Sequence, residues 1–167
     1  MSNEYDDPRA HALRERYHAT FGGDELPVPV ESIAEDLLGL AVEARELEVS
    51  GMLLPAERRI LVNAAEPETR QRFTVAHELG HWVCQCVGRP DAAPVYCRAE
   101  EVGVDPKARA LEREANIFAA NLVMPEPAVR AAGGANRFGV SEEALTWRLY
   151  NLDLVLEPPS PRDGATS

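Results

Sequence analysis

The chain has few cysteines, no long apolar segment and no basic, apolar start, and each absence argues against a class of protein. It has three cysteines among 167 residues, an odd number that argues against a disulfide framework. No apolar run approaches the roughly 20 residues that a membrane-spanning helix needs. The polar, acidic start MSNEYDDPRA lacks the basic and apolar regions of a signal peptide. We therefore expect a cytoplasmic protein that does not associate with membranes.

Positive charge is also scarce. Lys and Arg total 17 against 28 Asp and Glu, so the formal net charge is −11. Proteins that bind nucleic acids directly use clusters of Lys and Arg to contact phosphate groups. The composition therefore predicts no direct nucleic-acid binding, and it favours a neutral or basic protein as partner.

The most informative motif in the sequence is His77-Glu78-Leu79-Gly80-His81. It has the H-E-x-x-H pattern of zinc hydrolases. Residues four apart on a helix differ by about 40° around its axis, so both imidazoles can reach one ion. Glu78 lies about 100° from His77 and can take a proton from a water molecule at the metal. A catalytic zinc also needs a third protein ligand and an open position.

The third ligand is sought on a second predicted helix, Lys107 to Met124, which offers Glu112 and Glu114. The two lie on opposite flanks of the apolar stripe, each roughly 80° from its centre, so periodicity alone does not choose between them. Small residues surround Glu112 and would let another helix approach. One turn later comes Asn116, which can hydrogen-bond a ligand and hold it in place. These neighbours favour Glu112.

The remaining patterns predict an α+β fold. A small mixed or antiparallel sheet is packed by the motif helix and by the second ligand-bearing helix, with C-terminal helices of helix-turn-helix-like spacing. One of two strands, Gly51–Leu54 or Ile60–Asn63, is expected at the rim, where an extended substrate can add as a further strand. The predicted elements are strands at 40–44, 51–55 and 59–63, and helices at 9–20, 31–38, 68–87, 107–124, 126–137 and 141–152, with a long loop at 88–106.

The expected domain organisation is simple. Residues 1–8 are expected to be a disordered leader and residues 155–167 a disordered tail. Between them, residues 9–154 form a single zincin-like metallopeptidase domain whose C-terminal helical part is about 126–154.

Two stretches in order make the chain recognisable. Residues 70–81 read RQRFTVAHELGH and residues 112–125 read EREANIFAANLVMP. Together they closely resemble the ImmA/IrrE family of zinc metallopeptidases. The resemblance extends to Ser50-Gly-Met52, to Ile60–Asn63 and to Phe138-Gly-Val-Ser141, and it covers roughly residues 26–152.

The resemblance implies a gluzincin-like site. Its zinc ligands are His77, His81 and Glu112, with Glu78 as the general base. Asn116 matches the Asn or Asp that the family places four residues after the ligand Glu. The implied cofactor is Zn²⁺.

The resemblance also implies a function, that of a zinc-dependent endopeptidase acting on a regulatory protein. The better-known members cleave a helix-turn-helix transcriptional repressor, which we expect here to be a separate polypeptide. The alternative is a zinc-dependent binding module that sequesters a protein partner without turnover. The intact base Glu78 argues against that alternative, and a zinc amidase with another substrate is a third reading.

Other residues offer rival roles. Cys84, with Cys86 or Cys97, would turn the two histidines into a closed structural zinc site, although free cysteines are more often simply buried. Tyr96 and Tyr150 are candidate donors to an oxyanion, but an ordinary packing role is favoured for both.

Overall fold

The computed structural model describes residues 3–23, 25–87, 95–97, 106–131 and 133–159. The elements follow the predicted order, and α2 and α3 each continue into a short π-helical segment. The helices are α1 (Pro8–Phe21), α2 (Val30–Ser32, then π-helical Ile33–Leu37), α3 (Glu68–His81, then π-helical Trp82–Cys86), α4 (Pro106–Val123), α5 (Glu126–Arg130), α6 (Ala135–Phe138) and α7 (Glu142–Asn151). The strands are β1 (Ala41–Arg45), β2 (Gly51–Leu54), β3 (Arg59–Asn63) and β4 (Val95–Cys97).

The strands form one mixed sheet in the order β1-β3-β2-β4. β1 runs parallel to β3, while β2 runs antiparallel to both β3 and β4. The apolar run Ile60-Leu61-Val62 makes the middle of β3 entirely buried, as expected of a strand covered on both faces. The predicted α+β class with a mixed sheet is confirmed.

The expectation of a substrate-accepting strand at 51–54 or 60–63 is wrong. β3 lies between β1 and β2, and β2 lies between β3 and β4, so both strands are interior. The reason is β4, which pairs with the edge of β2 that would otherwise be open. β4 also interrupts the expected loop at 88–106, and the rest of that loop lies outside the described residues.

Helix α3 forms the centre of the core because its second half is buried on every side, from Thr74 to His81. It packs against α4 at Gly80. A Cβ on Gly80 would lie 2.9 Å from the carbonyl oxygen of Ala115 and 3.0 Å from its Cα. Only glycine therefore permits this separation of the two helix backbones.

Three arginines join distant segments by donating to backbone carbonyls. Arg14 bonds the carbonyls of Asn121 and Leu122 at the end of α4. Arg148 is buried in α7 and bonds the carbonyl of Met124, 3.1 Å away. Arg72 bonds the carbonyls of Val28 and Gly139, at 3.0 and 3.3 Å. These bonds supply hydrogen-bond partners to carbonyls at helix ends and in loops, where no partner is available within a helix.

Residues 3–8, within the expected leader, contact the rest of the described chain. The nearly buried Asp7 caps α1 by accepting from the backbone N–H of Arg9 at 3.0 Å. Asn121 donates to the carbonyl of Tyr5 at 2.8 Å. Residues 160–167 of the expected tail lie outside the described residues.

In the described ranges, no helix has the length and apolar character needed to cross a membrane.

We expect Gly80→Val to lower the free energy of unfolding by about 1–3 kcal/mol, because the added side chain meets the Ala115 backbone rather than a movable side chain. Urea-induced unfolding measures the change. The control is Gly134→Val, since a Cβ at Gly134 meets nothing within 4 Å. Equal midpoints for the two variants would show that the helices can separate at no cost.

A candidate metal site between two helices

The site begins with two histidines on one face of α3. His77 and His81 are almost completely buried, with 2% and 1% of their surface exposed. Their Nε2 atoms lie 3.1 Å apart, as the four-residue spacing predicts. Both nitrogens therefore face the same small volume.

Glu112 reaches this volume from α4. Its two carboxylate oxygens lie 2.9 Å from Nε2 of His77 and 3.0 Å from Nε2 of His81. Glu114 instead lies 3.6 Å from Arg9, on another side of the helix. Of the two glutamates, Glu112 is therefore the one that lies beside the histidines. The three donor groups of His77, His81 and Glu112 lie within 4.8 Å of one another and could hold a metal ion.

The outer nitrogens of the histidines have their own partners. Nδ1 of His77 lies 2.8 Å from Oδ1 of Asn116, and Nδ1 of His81 lies 2.7 Å from Oε1 of Gln85. Gln85 is oriented in turn, because its amide donates to the carbonyl of Leu111 at 3.0 Å. Oxygen acceptors at both Nδ1 atoms favour a proton there, which would leave each Nε2 able to bind a metal ion in place of its contact with Glu112.

Sequence reasoning placed Asn116 but missed Gln85. The signal was available, since Gln85 follows His81 by one turn just as Asn116 follows Glu112 by one turn. Residues one turn apart lie on the same helix face. The Gln85 bond also ties α3 to the backbone of α4, which fixes the ring of His81 relative to Glu112.

The electrostatics favour a cation at this point. Burial alone would raise the pKa of Glu112, but hydrogen bonds from His77 and His81 outweigh it and lower the pKa to about 2. Burial lowers the pKa of His81, but the hydrogen bonds to Glu112 and Gln85 and the negative charges of Glu78 and Glu112 together outweigh it, so the pKa is raised. A metal ion bound here would replace these hydrogen bonds, and the Glu112 carboxylate would balance part of its charge.

Glu78 lies beside this group and is fully buried. Within the described residues, neither of its carboxylate oxygens has a hydrogen-bond partner. Burial raises its pKa to about 8. Gly51 on β2 packs beside it and makes room for Thr74, since a Cβ there would lie 2.3 Å from the Thr74 methyl group but at an ordinary 3.5 Å from Oε1 of Glu78. The carboxylate is thus held without a partner and has a high affinity for a proton.

Comparison with known proteins now identifies the family. Residues 35–150 match a peptidase family described as the IrrE N-terminal-like domain. The chain belongs to this family. The ImmA/IrrE resemblance read from the motifs is confirmed, and with it the assignment to a metallopeptidase-like domain.

Two similar proteins extend the comparison. The radiation response metalloprotease IrrE of Deinococcus radiodurans is 36% identical over 95 residues, which cover 57% of this chain and 27% of that protein. A Mycobacterium tuberculosis transcriptional regulator of solved structure has a TM-score of 0.61 at 19% identity, covering 88% of this chain and 48% of the other. The chain thus spans about a quarter of the first and half of the second. The second likeness shows the fold alone.

The cysteines lie apart from this IrrE-like site. Burial raises the pKa of Cys84 to about 12, so its thiol stays protonated, and the charged groups that influence it are Arg9, Asp7 and Glu114. Neither Cys84 nor Cys86 joins the histidines in a metal-binding group within the described part of the chain. The predicted role of a buried cysteine therefore fits Cys86, whereas Cys84 is half-buried and the side chain of Cys97 lies outside the described residues.

The candidate oxyanion donors Tyr96 and Tyr150 are not seen at the metal-binding group in the described part of the chain. Tyr150 is half-buried in α7, where its ring lies 6.0 Å from that of Trp147. The backbone of Tyr96 pairs with Met52 in the sheet, and its side chain lies outside the described residues.

We expect Glu112→Ala to weaken zinc binding by at least about 100-fold, because loss of an outer partner alone costs 10–100-fold. Competition with a chromophoric chelator measures the affinity. Glu114→Ala is the matched control on the same helix and should bind zinc like the unmodified protein. Equal losses in the two variants would contradict the site.

We expect Gln85→Leu to weaken zinc binding by about 10–100-fold, since it leaves the ring of His81 without its acceptor. Gln71→Leu is the control, because Gln71 also bonds a backbone carbonyl, that of Glu66, but lies in the first turn of α3. Unchanged affinity in Gln85→Leu would show that packing alone orients His81.

Proposed function

We propose that this chain is a zinc-dependent endopeptidase that cleaves a regulatory protein. The observation that carries the proposal is the position of Glu78. A fully buried carboxylate without a hydrogen bond costs stability, and it lies beside the three groups that can hold a metal ion. A purely structural metal site has no use for such a group.

Zinc suits the three donors. Two imidazole nitrogens and one carboxylate are the set that catalytic zinc sites use, with a further position left open. Glu112 is one-third exposed while the histidines are buried, so access to the site lies on the Glu112 side. When bound, zinc supplies Lewis acidity toward the scissile carbonyl and toward a water molecule.

Glu78 moves the proton. Its unpaired carboxylate accepts a proton from the attacking water, and it then donates that proton to the nitrogen of the leaving amine. Burial raises its pKa toward neutral pH, where one group can both accept a proton and return it. His77, His81 and Glu112 keep fixed positions through Asn116 and Gln85 during both steps.

The proposed substrate is a helix-turn-helix transcriptional repressor carried on a separate polypeptide in the cytoplasm. The support is family membership together with the metalloprotease name of the Deinococcus relative, of which this chain matches 27%. The overall charge of −11 also favours a protein over a nucleic acid as the direct partner.

The test compares Glu78→Gln with the unmodified protein, both loaded with zinc. The substrate is the helix-turn-helix repressor encoded nearest to the gene, and mass spectrometry detects its fragments. We expect Glu78→Gln to retain zinc and to cleave about 10²–10⁴-fold more slowly, which is the contribution of a general base. Removal of zinc by a chelator should abolish cleavage in both proteins.

Two results would contradict the proposal. Equal cleavage by Glu78→Gln would remove Glu78 from the mechanism. Zinc-dependent binding of the repressor with no fragment from the unmodified protein would instead support the non-catalytic binding module.

A further inference from the structure

A groove of about 460 Å³ runs between α4 and α7, beside the metal-binding group. Most of its lining is apolar, and its wide mouth faces solvent. Trp147, on α7, is 43% exposed there, which is unusual for so large an apolar side chain. The apolar lining of this α4–α7 groove is Phe73, Ile117, Ala120, Met124, Ala144 and Trp147.

The groove is continuous with the proposed active site. Glu112 and Asn116 line it, and the same two side chains contact His77. An extended peptide advances about 3.3 Å per residue. A substrate whose scissile bond lies at the metal-binding group therefore places a side chain one or two positions away at the groove.

The charge of the groove is opposite to that of the whole chain. Three arginines line it, Arg109, Arg113 and Arg148, against one carboxylate, that of Glu112. The chain as a whole carries a formal charge of −11. A concave, partly apolar surface of one sign concentrates ligands of the opposite sign.

Among the described residues, two of these cations form no ion pair with a carboxylate, although Glu126 and Asp6 act on Arg148 at longer range. The buried Arg148 donates to the carbonyl of Met124 and to the amide oxygen of Asn121, both uncharged. Arg109 forms no ion pair with any described residue. Arg113 pairs with the exposed Glu4 at 3.2 Å. The groove therefore has positive charge available for a ligand.

We infer that the α4–α7 groove is a specificity subsite, which receives an apolar substrate side chain adjoined by an Asp or Glu that pairs with Arg109. The inference rests on the proposed peptidase function. The inference also predicts where the substrate is cleaved. The helix of a repressor that contacts DNA is rich in Lys and Arg, so the segment recognised by the groove lies outside that helix.

Binding is measured separately from cleavage, with zinc-loaded Glu78→Gln protein so that the ligand survives. The probes are two blocked hexapeptides, Ala-Ala-Leu-Glu-Ala-Ala and Ala-Ala-Leu-Lys-Ala-Ala. The chain has two tryptophans, and only Trp147 lines the groove. We expect the Glu peptide to shift the indole N–H resonance of Trp147, and to leave that of Trp82 in place.

The expected preference for the Glu peptide over the Lys peptide is roughly three- to fivefold, as for a partly exposed ion pair. Arg109→Glu should reverse the order of the two peptides, while Arg16→Glu on the exposed face of α1 should not. Ala120→Phe should fill the groove and abolish the shift. The matched control is Ala19→Phe, at an exposed position of α1.

The outcomes separate this inference from the proposed function. If zinc-loaded unmodified protein cuts both peptides equally and Trp147 does not shift, the subsite is refuted and the peptidase stands. If Trp147 shifts as expected but neither peptide nor repressor is cut, the groove stands as a binding site and the peptidase fails. A shift of Trp147 on dilution of the protein alone would assign the groove to a second copy of the chain, against the inference.

Discussion

The close approach of α3 and α4 is the constraint on which the rest of the structure depends. At Gly80 the two helix backbones are so near that a single methyl group would meet the backbone of Ala115. This separation lets a side chain as short as Glu112 reach both histidines of α3 at about hydrogen-bond distance. A wider spacing would leave two buried imidazoles without a third ligand. Gly80 lies inside the motif itself, so one segment of sequence sets both the ligands and their distance from the partner helix.

The fold holds a destabilising group on α3 next to the metal-binding group. Glu78 is buried with no hydrogen bond from any described residue, and an unpartnered buried polar group costs on the order of 1–3 kcal/mol. The surrounding core offsets this cost. Gly51 of β2 packs against Thr74 and Glu78, and arginines on three helices donate hydrogen bonds to backbone carbonyls of other segments. The rigid framework thus keeps the Glu78 carboxylate buried without the hydrogen bonds that would stabilise it.

Sequence reasoning succeeded where local periodicity determines the outcome. The motif helix, its two histidines and the apolar strand at 60–62 follow from spacing alone. The choice of Glu112 over Glu114 did not, because a helix has no preferred partner until its neighbour is placed; small residues and Asn116 had to supply that information. Gln85 was missed because a glutamine on a helix is ordinarily a surface residue, and only the carbonyl of Leu111 on another helix gives it a role. Strand order failed for a similar reason, since three residues at 95–97 in an apparently irregular stretch occupy the edge of β2. Each failure concerns a long-range contact whose partner has no local signature.

Net charge, like local sequence pattern, does not reveal which residues the folded chain brings together. A total of −11 argues against nucleic acid and in favour of a basic or neutral partner. Yet the folded chain brings Arg109 and Arg113 of α4 together with Arg148 of α7 at one groove, where Glu112 is the one carboxylate among the described lining residues. Because screening confines such fields to about 8–10 Å, a bound segment responds to the groove rather than to the total. In the proposed function, the net charge would bear on which proteins approach, whereas the three arginines would select the segment of a partner that fits beside the metal-binding group. These two requirements are compatible in a substrate that is basic overall and acidic near its cleavage point.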